Sequence, residues 1–401
     1  MTQKTILFLG AAEFQTPPIH HALSAGYRVV TSDNRPDNPG HALAHRSYNV
    51  STLDIDAIRR IAESEAIDGI LSFGSDVSAY TVATVARMLG LPGNSPESIE
   101  TLSRKHLFRQ RLRDAGIQAV RSCAFGKDEL DLAIAFGRSF GADVIVKPTD
   151  ASGSKGVSIC APDGDLFAAV DAAFAASRDS LIVLEEFVPR LGYQICGDGW
   201  FQDGKIDFVQ YGNGHFHDRA DRMAPYGETF PSAQPAELLD AVTIHLEQAL
   251  QACSFESGPF NLDVRIDQRD RRPFIVEIGP RSGGNYLPTA IRYQSGVDMI
   301  EAAVENALSA QYRLRANPRQ ADGFVCCFML HASEPGTFNG FSLGPDIGAQ
   351  LLEYHPYVRP GGRYLPFSSA DRAIGNLILK FGDYDRMLQA MNDPDRLATL
   401  A

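Results

Sequence analysis

The chain has 401 residues, 44% hydrophobic and 21% charged, values of a soluble globular protein with room for two or three domains. Its 37 Lys and Arg against 49 Asp and Glu give a formal charge of −12, so a nucleic-acid role lacks electrostatic support and any polyanionic ligand needs locally placed cations. Six cysteines (Cys123, Cys160, Cys196, Cys253, Cys326, Cys327) show no CxxC spacing and read as reduced thiols of a cytosolic protein, not a disulfide framework or zinc site. The N-terminal apolar run is a buried strand, too short for a signal peptide, and no stretch approaches transmembrane length.

Thr5–Leu9 reads as a parallel-type strand running into Gly10, Pro18–Ala25 as a helix ending at Gly26, and Tyr27–Thr31 as the next strand. A helix over Asp54–Ser64, a strand over Gly69–Ser72 and a helix over Ser78–Met88 continue the alternation. This pattern predicts a small doubly wound sheet over residues 1–102. After the first strand stands GAAEFQ instead of GxGxxG, so a dinucleotide-dependent oxidoreductase lacks its fingerprint. Asp33, Ser75 and Asp76 follow strands and line the usual ligand crevice, or serve as turn formers and helix caps.

A second unit begins near Ser103. Lys105–Ala115 is a basic helix, Asp128–Ser139 another, and Val144–Pro148 a strand with Lys147 near its end. Thr149–Gly156 is a Gly- and Ser-rich loop, Leu166–Ala176 an alanine-rich helix, and Leu181–Val188 a strand bearing Glu185 and Glu186. Strands over Tyr193–Trp200 and Ile206–Tyr211 and a long amphipathic helix over Ala236–Cys253 follow. Beyond a helix at Met299–Ala307 and a linker at Arg313–Ala321 comes an α+β segment with strands at Phe324–Leu330, Gln350–His355 and Ala373–Phe381 and a helix at Tyr384–Met391. The expected units are residues 1–102, 103–188, 189–312 and 313–401.

Two stretches carry the chemistry. In Pro259–Asn285, the strand Asn261–Ile266 alternates in period 2, Asp267–Arg272 is a polar turn, and Phe274–Ile278 is a second strand. Pairing them would bring Asp263 and Glu277 side by side, where two carboxylates repel unless a cation or proton is shared. Such hard oxygen ligands suit Mg²⁺; the alternative is a surface hairpin with solvated acids. In the other stretch, Lys147 precedes Asp150–Gly156, a loop whose small residues let backbone N–H groups approach anionic oxygens. It joins two strands, so it is a flexible flap and not a Walker A loop, or else an ordinary Gly/Ser hairpin. The acids of Leu184–Val188 similarly read either as one edge of a purine and ribose site or as surface acids.

Taken in order, Lys105, Lys147 with SGSKG, EEF, then Asp263, Glu277 and PRSGG resemble the ATP-grasp superfamily over essentially the whole chain. The C-terminal GGRYLP and AIGNLILKFGDYDRML resemble its carbamoyl-phosphate-synthase-like and L-amino-acid-ligase-like branches. The resemblance implies an α/β and α+β chain: an N-terminal doubly wound pre-ATP-grasp domain, a small lid subdomain, and a larger C-terminal α+β domain. It implies that Lys105 and Lys147 bind ATP phosphates, that Ser152, Gly153, Ser154, Lys155 and Gly156 close over them, and that Glu185, Glu186, Phe187 and Val188 line the adenine pocket. Gln194 falls where the family often has a ribose-binding glutamate. Asp263 and Glu277 match the metal carboxylates of two Mg²⁺ ions, with Mn²⁺ able to substitute, although Gly279 stands where the family commonly has Asn. Arg281, with Arg265 second, would stabilise the transferring phosphoryl group. His215, His217 and Arg219 in a polar loop, and Asn285 and Arg292 after the PRSGGN turn, are substrate candidates.

The activity this implies is ATP-dependent ligation of a carboxylic acid to an amine through an acyl phosphate, acting on small molecules in the cytoplasm, with a homodimer plausible by resemblance. Activation of bicarbonate or formate is one alternative. A nucleotide-binding protein without turnover is another, with Gly279 and Gln194 as its signs of decay.

Overall fold

The computed structural model describes residues 3–118, 120–151, 153–217, 224–314 and 323–401. Strands β1 (Thr5–Leu9), β2 (Arg28–Ser32), β3 (Arg46–Tyr48) and β4 (Gly69–Leu71) form a parallel sheet in the order β3-β2-β1-β4. All five side chains of β1 are buried, as a strand covered on both faces requires. Helices Thr16–Ser24, Ile55–Ser64 and Ala79–Leu89 complete the alternation. Asp54 caps the second by accepting from the Ala57 N–H at 3.0 Å, and Gly90, at φ +66°, closes the third.

A second sheet is antiparallel, in the order β5-β8-β6-β7, from β5 (Ser122–Gly126), β6 (Val144–Pro148), β7 (Ser158–Cys160) and β8 (Leu181–Glu186). Helices Leu130–Arg138 and Leu166–Ala176 bury Ala133, Ile134, Val170 and Ala173 against it.

The largest sheet has eight strands. These are β9 (Gln194–Gln202), β10 (Lys205–Phe216), β11 (Pro225–Phe230), β12 (Gly258–Ile266), β13 (Pro273–Gly279), β14 (Phe324–Leu330), β15 (Leu351–Pro356) and β16 (Gly375–Phe381). Their order is β13-β12-β9-β10-β11-β14-β16-β15, so the strands after residue 323 extend the sheet that holds the acidic hairpin. Helix Ala236–Ala252 buries Val242, Leu246 and Leu250 against β9, β12 and β13, beside Phe108 and Leu112 of helix Lys105–Asp114. Helix Met299–Leu308 packs Val304 and Ala307 onto Ile6, Phe8 and Val29 of the first sheet. The Lys4 ammonium donates to the Leu308 carbonyl at 2.9 Å, tying that sheet to the largest one's helices.

Several elements differ from the sequence expectation. β10 runs on to Phe216, so His215 sits on a strand and not in a polar loop. Gly212, on the same strand, is a close-approach glycine: a Cβ there would lie 2.6 Å from Phe230 and 2.7 Å from the Thr229 carbonyl oxygen. Helix Pro96–Ser103 was not expected, although Ser95 caps it by accepting from the Ser98 N–H at 3.1 Å and Pro96 opens it. Helix Leu287–Ser295 was also unexpected. Ser152, Arg219 and most of the Arg313–Ala321 linker lie outside the described residues. Among the described residues no helix is long and apolar enough to cross a membrane.

Candidate active site

A cavity of about 990 Å³ lies between the second and third sheets, closed at its sides by the loops after β1 and β4 and by residues 356–359 and 370–373. The acidic hairpin forms one wall. In the β12–β13 register Asp263 faces Glu277 directly, as the alternation of the two strands predicts. Burial, and then the Glu277 charge beside it, push the Asp263 carboxyl well above the usual carboxylate range. The Gln194 amide, donating to Asp263 at 2.7 Å, and the nearby Arg265 cation oppose that shift. Two adjacent half-buried carboxylates, with the ionisation of Asp263 disfavoured, are a donor set that a divalent cation satisfies, because a bound ion reverses the local preference for protonation.

The opposite wall is basic and already paired. Lys147 on β6 and Glu185 on β8 form a buried ion pair, and Arg109 Nε donates to the same carboxylate at 2.8 Å. Burial alone would raise Glu185, but Arg109 and Lys147 outweigh it and hold the carboxyl at about 2. Burial lowers the Lys147 ammonium to about 8, which leaves it charged at neutral pH. Lys105 lines the cavity and donates to the Ala151 carbonyl of the flap at 2.7 Å. Arg109, one helical turn on, also donates to the Ile275 and Val276 carbonyls of β13 at 3.0 and 2.7 Å, joining the two walls. Sequence reading missed Arg109. Its spacing of four from Lys105 on a helix was the available signal.

Gly153, Ser154 and Lys155 of the flap line the cavity, and Lys155 pairs across it with Asp371 at 3.0 Å. Gly156 has φ +68°, and a Cβ there would lie 2.5 Å from that of Ala176, so the flap's far end requires glycine. Glu186, Phe187 and Val188 also line the cavity. Glu186 pairs with Arg269, and the Val188 carbonyl accepts from Arg265 at 3.0 Å. Arg265 in addition donates to Gln194 at 3.0 Å and lies 5.0 Å over the Phe187 ring. Its contacts are therefore those of a brace between strands, unlike the phosphoryl contact expected of it. Gln194, read as a ribose contact, bridges Asp263 and Arg265, and Glu185 meets cations where an adenine edge was expected.

Arg281 lines the cavity and donates to Asp76 of the β4 loop at 2.5 Å. Asp33, by contrast, serves its own turn, accepting from the N–H groups of Ala11 and Arg35 and from the Asn38 amide. Asn285 lines the cavity in a left-handed conformation, φ +49°.

Three other substrate candidates, His215, His217 and Arg292, turn away. His215 is buried on the far side of β10, 3.2 Å from the Asn392 side chain and 3.0 Å from the Thr229 hydroxyl, and burial lowers its imidazole to about 4. His217 lies 2.8 Å from His331 among aromatic rings, and Arg292 pairs with Asp298 at 3.1 Å near the surface. A strand running two residues past Gly214, and a helix in place of a loop after the PRSGGN turn, account for these displacements.

Two further acids escaped the sequence reading. Asp198 on β9 accepts from the Asn261 amide at 2.9 Å and the Gly283 N–H at 2.8 Å, and burial raises it to about 6. Glu228 on β11 lines the cavity beside the Cys327 thiol at 3.4 Å, and burial raises it to about 7. Each is a single acid in a strand with no local motif.

A family model described as the ATP-binding domain of the carbamoyl-phosphate synthase L chain matches residues 104–198. Among curated proteins, an uncharacterized protein of Sinorhizobium fredii is 27% identical over 328 residues, covering 78% of this chain and 64% of that protein. A formate-dependent phosphoribosylglycinamide formyltransferase of Burkholderia vietnamiensis is 28% identical over 188 residues, 46% of each chain. The matches thus span less than two thirds of either relative's length. Among solved structures, the L-amino acid ligase from Bacillus licheniformis superposes with a TM-score of 0.82 at 17% identity, over 100% of this chain and 99% of that one. The phosphoribosylglycinamide synthetase from Anaerococcus prevotii superposes with a TM-score of 0.76 at 16% identity, over the full length of both. The 2-oxoglutarate carboxylase biotin carboxylase domain of Hydrogenobacter thermophilus, solved with MgADP and bicarbonate, gives 0.77 at 16% identity, over 100% of this chain and 91% of that one. The chain thus shares the fold of these structures over its full length, and its residues 104–198 are similar to the ATP-binding domain of the carbamoyl-phosphate synthase L chain, as the resemblance to the ATP-grasp superfamily implies.

Proposed function

We propose that the chain is an ATP-grasp enzyme that joins a small carboxylic acid to an amine, forming a C–N bond at the expense of ATP. One observation carries the reading: a single cavity has Lys105 and Lys147 on one wall and the Asp263–Glu277 pair on the other. A polyphosphate lying between them meets cations from the first, and from the second the carboxylates that would hold Mg²⁺, for which Mn²⁺ can stand in. Bound there, the metal would neutralise phosphate charge as it moves onto the leaving ADP.

The acid's carboxylate oxygen attacks the γ-phosphorus as the bond to the bridging oxygen breaks, giving an acyl phosphate and ADP. The amine nitrogen then attacks the acyl carbon, phosphate leaves, and the nitrogen gives up a proton. Lys147, Lys105 and Arg281 position the phosphates, the Ser152–Gly156 flap excludes water that would hydrolyse the acyl phosphate, and residues 185–188 and Gln194 border the nucleoside. In this reading residues 1–102 are the pre-ATP-grasp domain, 103–188 the lid, 189–312 the metal-bearing unit, and 313–401 its C-terminal extension. The cavity continues past the carboxylates to Arg35, Asn285 and Arg359, which supports a second substrate of appreciable size. All six cysteines are free and five are buried, which supports a reducing, cytoplasmic setting. We take the partners to be small molecules and the assembly to be a homodimer.

The test is hydroxylamine trapping. Enzyme, Mg·ATP and a panel of acids including formate are incubated with hydroxylamine in place of the amine. Acid-dependent hydroxamate together with ADP supports the reading. Trapping confined to formate moves the enzyme to the formate-activating alternative favoured by the formyltransferase relative. ATP binding with no hydroxamate from any acid counts against acid activation.

A further inference from the structure

We propose that the Arg281 guanidinium, held by Asp76 in the space that Gly279 leaves open, takes the position of a second metal ion, so that Asp263 and Glu277 carry one divalent cation. The inference rests on the nucleotide-and-cation reading above, and it revises the expectation of two ions.

The first argument is steric. Side chains on one face of a strand recur every second residue, so position 279 is the next on β13 to face as Glu277 does. A Cβ there would lie 2.9 Å from Arg281 Cζ, 3.0 Å from its Nη1 and 3.0 Å from Asp76 Oδ1. The volume beside Glu277 into which a third oxygen-bearing side chain would project is therefore filled by a guanidinium.

Electrostatics point the same way. A guanidinium keeps its charge at any working pH, and like charges close together in a low-dielectric pocket repel strongly. The Arg281 side chain is only 11% exposed, donates to Asp76 at 2.5 Å, and feels the Glu277 and Asp198 carboxylates as well. Among the described residues its Nε has no hydrogen-bond partner, which leaves a buried donor for an incoming anion. A second dication next to this group would meet a fixed positive charge.

Two of the nearby acids are also committed. Asp76 is paired, and Asp198 engages one oxygen with Asn261 and the other with Gly283. Among the described residues no group of three or more His, Cys, Asp and Glu side chains is arranged to hold a metal. One cation, finished by nucleotide oxygens and water, fits a two-carboxylate site. Asp76 thereby acts as a positioning residue: the first sheet supplies the anchor that keeps Arg281 beside the metal pair.

The test counts metal without turnover. Protein in slight excess over β,γ-methylene-ATP is titrated with Mn²⁺ and followed by electron paramagnetic resonance. The expected result is one Mn²⁺ per bound nucleotide, with the six-line spectrum of an isolated ion. Arg281→Ala is expected to admit a second ion, seen as doubled stoichiometry and spin–spin broadening. Two coupled ions in the unmutated enzyme would overturn the proposal without help from any variant. One ion in a folded Arg281→Ala enzyme would overturn the guanidinium's part in it. No nucleotide-dependent Mn²⁺ uptake at all would fail the nucleotide reading, and this inference with it.

Discussion

The two walls of the cavity handle buried charge in opposite ways. On the β6–β8 wall Lys147, Glu185 and Arg109 satisfy one another, so the wall keeps its shape whether or not a ligand is present. On the β12–β13 wall Asp263 and Glu277 stand side by side; a neutral amide and a braced Arg265 relieve Asp263, and Arg281, already held by Asp76, lies near Glu277. The first wall is complete in itself. The second is complete only with a cation. The difference teaches where structure and chemistry separate: removing a charge from the paired wall should harm stability, and removing one from the unpaired wall should harm function first.

The sharpest way to break that comparison is Glu277→Ala. Losing a carboxylate that would hold the metal is expected to cut turnover by roughly a thousand-fold, several kcal/mol of transition-state stabilisation. Folding stability measured by urea titration without metal should hold or rise, since a repulsion is relieved. A large stability loss with turnover intact would reverse the assignment of the two walls.

Arg109→Leu tests the other wall. It leaves Glu185 with Lys147 alone, frees the Val276 carbonyl and leaves that of Ile275 with Gln118 only, so a destabilisation of about 3 kcal/mol is expected from urea unfolding. A change under about 0.5 kcal/mol, the usual size for a surface substitution, would show that the triad is not the closed network described here.

Glu228 sharpens the picture through pH. Burial raises its carboxyl from 4.5 to about 7, so the folded enzyme holds this proton more tightly than the unfolded chain does. Its contribution to stability is present below about pH 4.5 and lost as pH rises toward 7. Glu228→Gln should remove a fall of roughly 3 kcal/mol across that window, measured by unfolding in EDTA at several pH values. An unchanged slope would mean that Glu228 titrates as an ordinary acid.

The smallest effect belongs to the flap. Lys155 and Asp371 are half-exposed, so Asp371→Asn should change stability by less than about 1 kcal/mol. The dissociation rate of a fluorescent ATP analogue, read by stopped flow, should rise, because the contact across the cavity is lost. An unchanged rate would make Lys155–Asp371 a surface pair without a part in closure.

Much of this was legible in the sequence. The period-2 strands around Asp263 and Glu277 and the turn between them led directly to the observed pairing, because register follows from alternation and turn length. Lys147 was legible from its place at a strand end before a Gly/Ser loop. What was not legible depended on distant parts of the chain. Arg109 meets Glu185 seventy-six residues on, and Asp76 meets Arg281 across 205, separations over which no local pattern carries information. Gly279 looked like a missing ligand until the folded chain placed Arg281 in its volume. His215 and Arg292 misled because glycines and turn residues near them resembled loops, while close backbone approach and a new helix set their true surroundings.

The most direct test of the central claim is ADP release from Mg·ATP, followed against a panel of carboxylic acids with and without a mixed amine pool, with Glu277→Ala alongside. The account predicts turnover that needs both an acid and an amine and that Glu277→Ala abolishes. ADP release that neither acid nor amine stimulates, or that survives loss of Glu277, would contradict it.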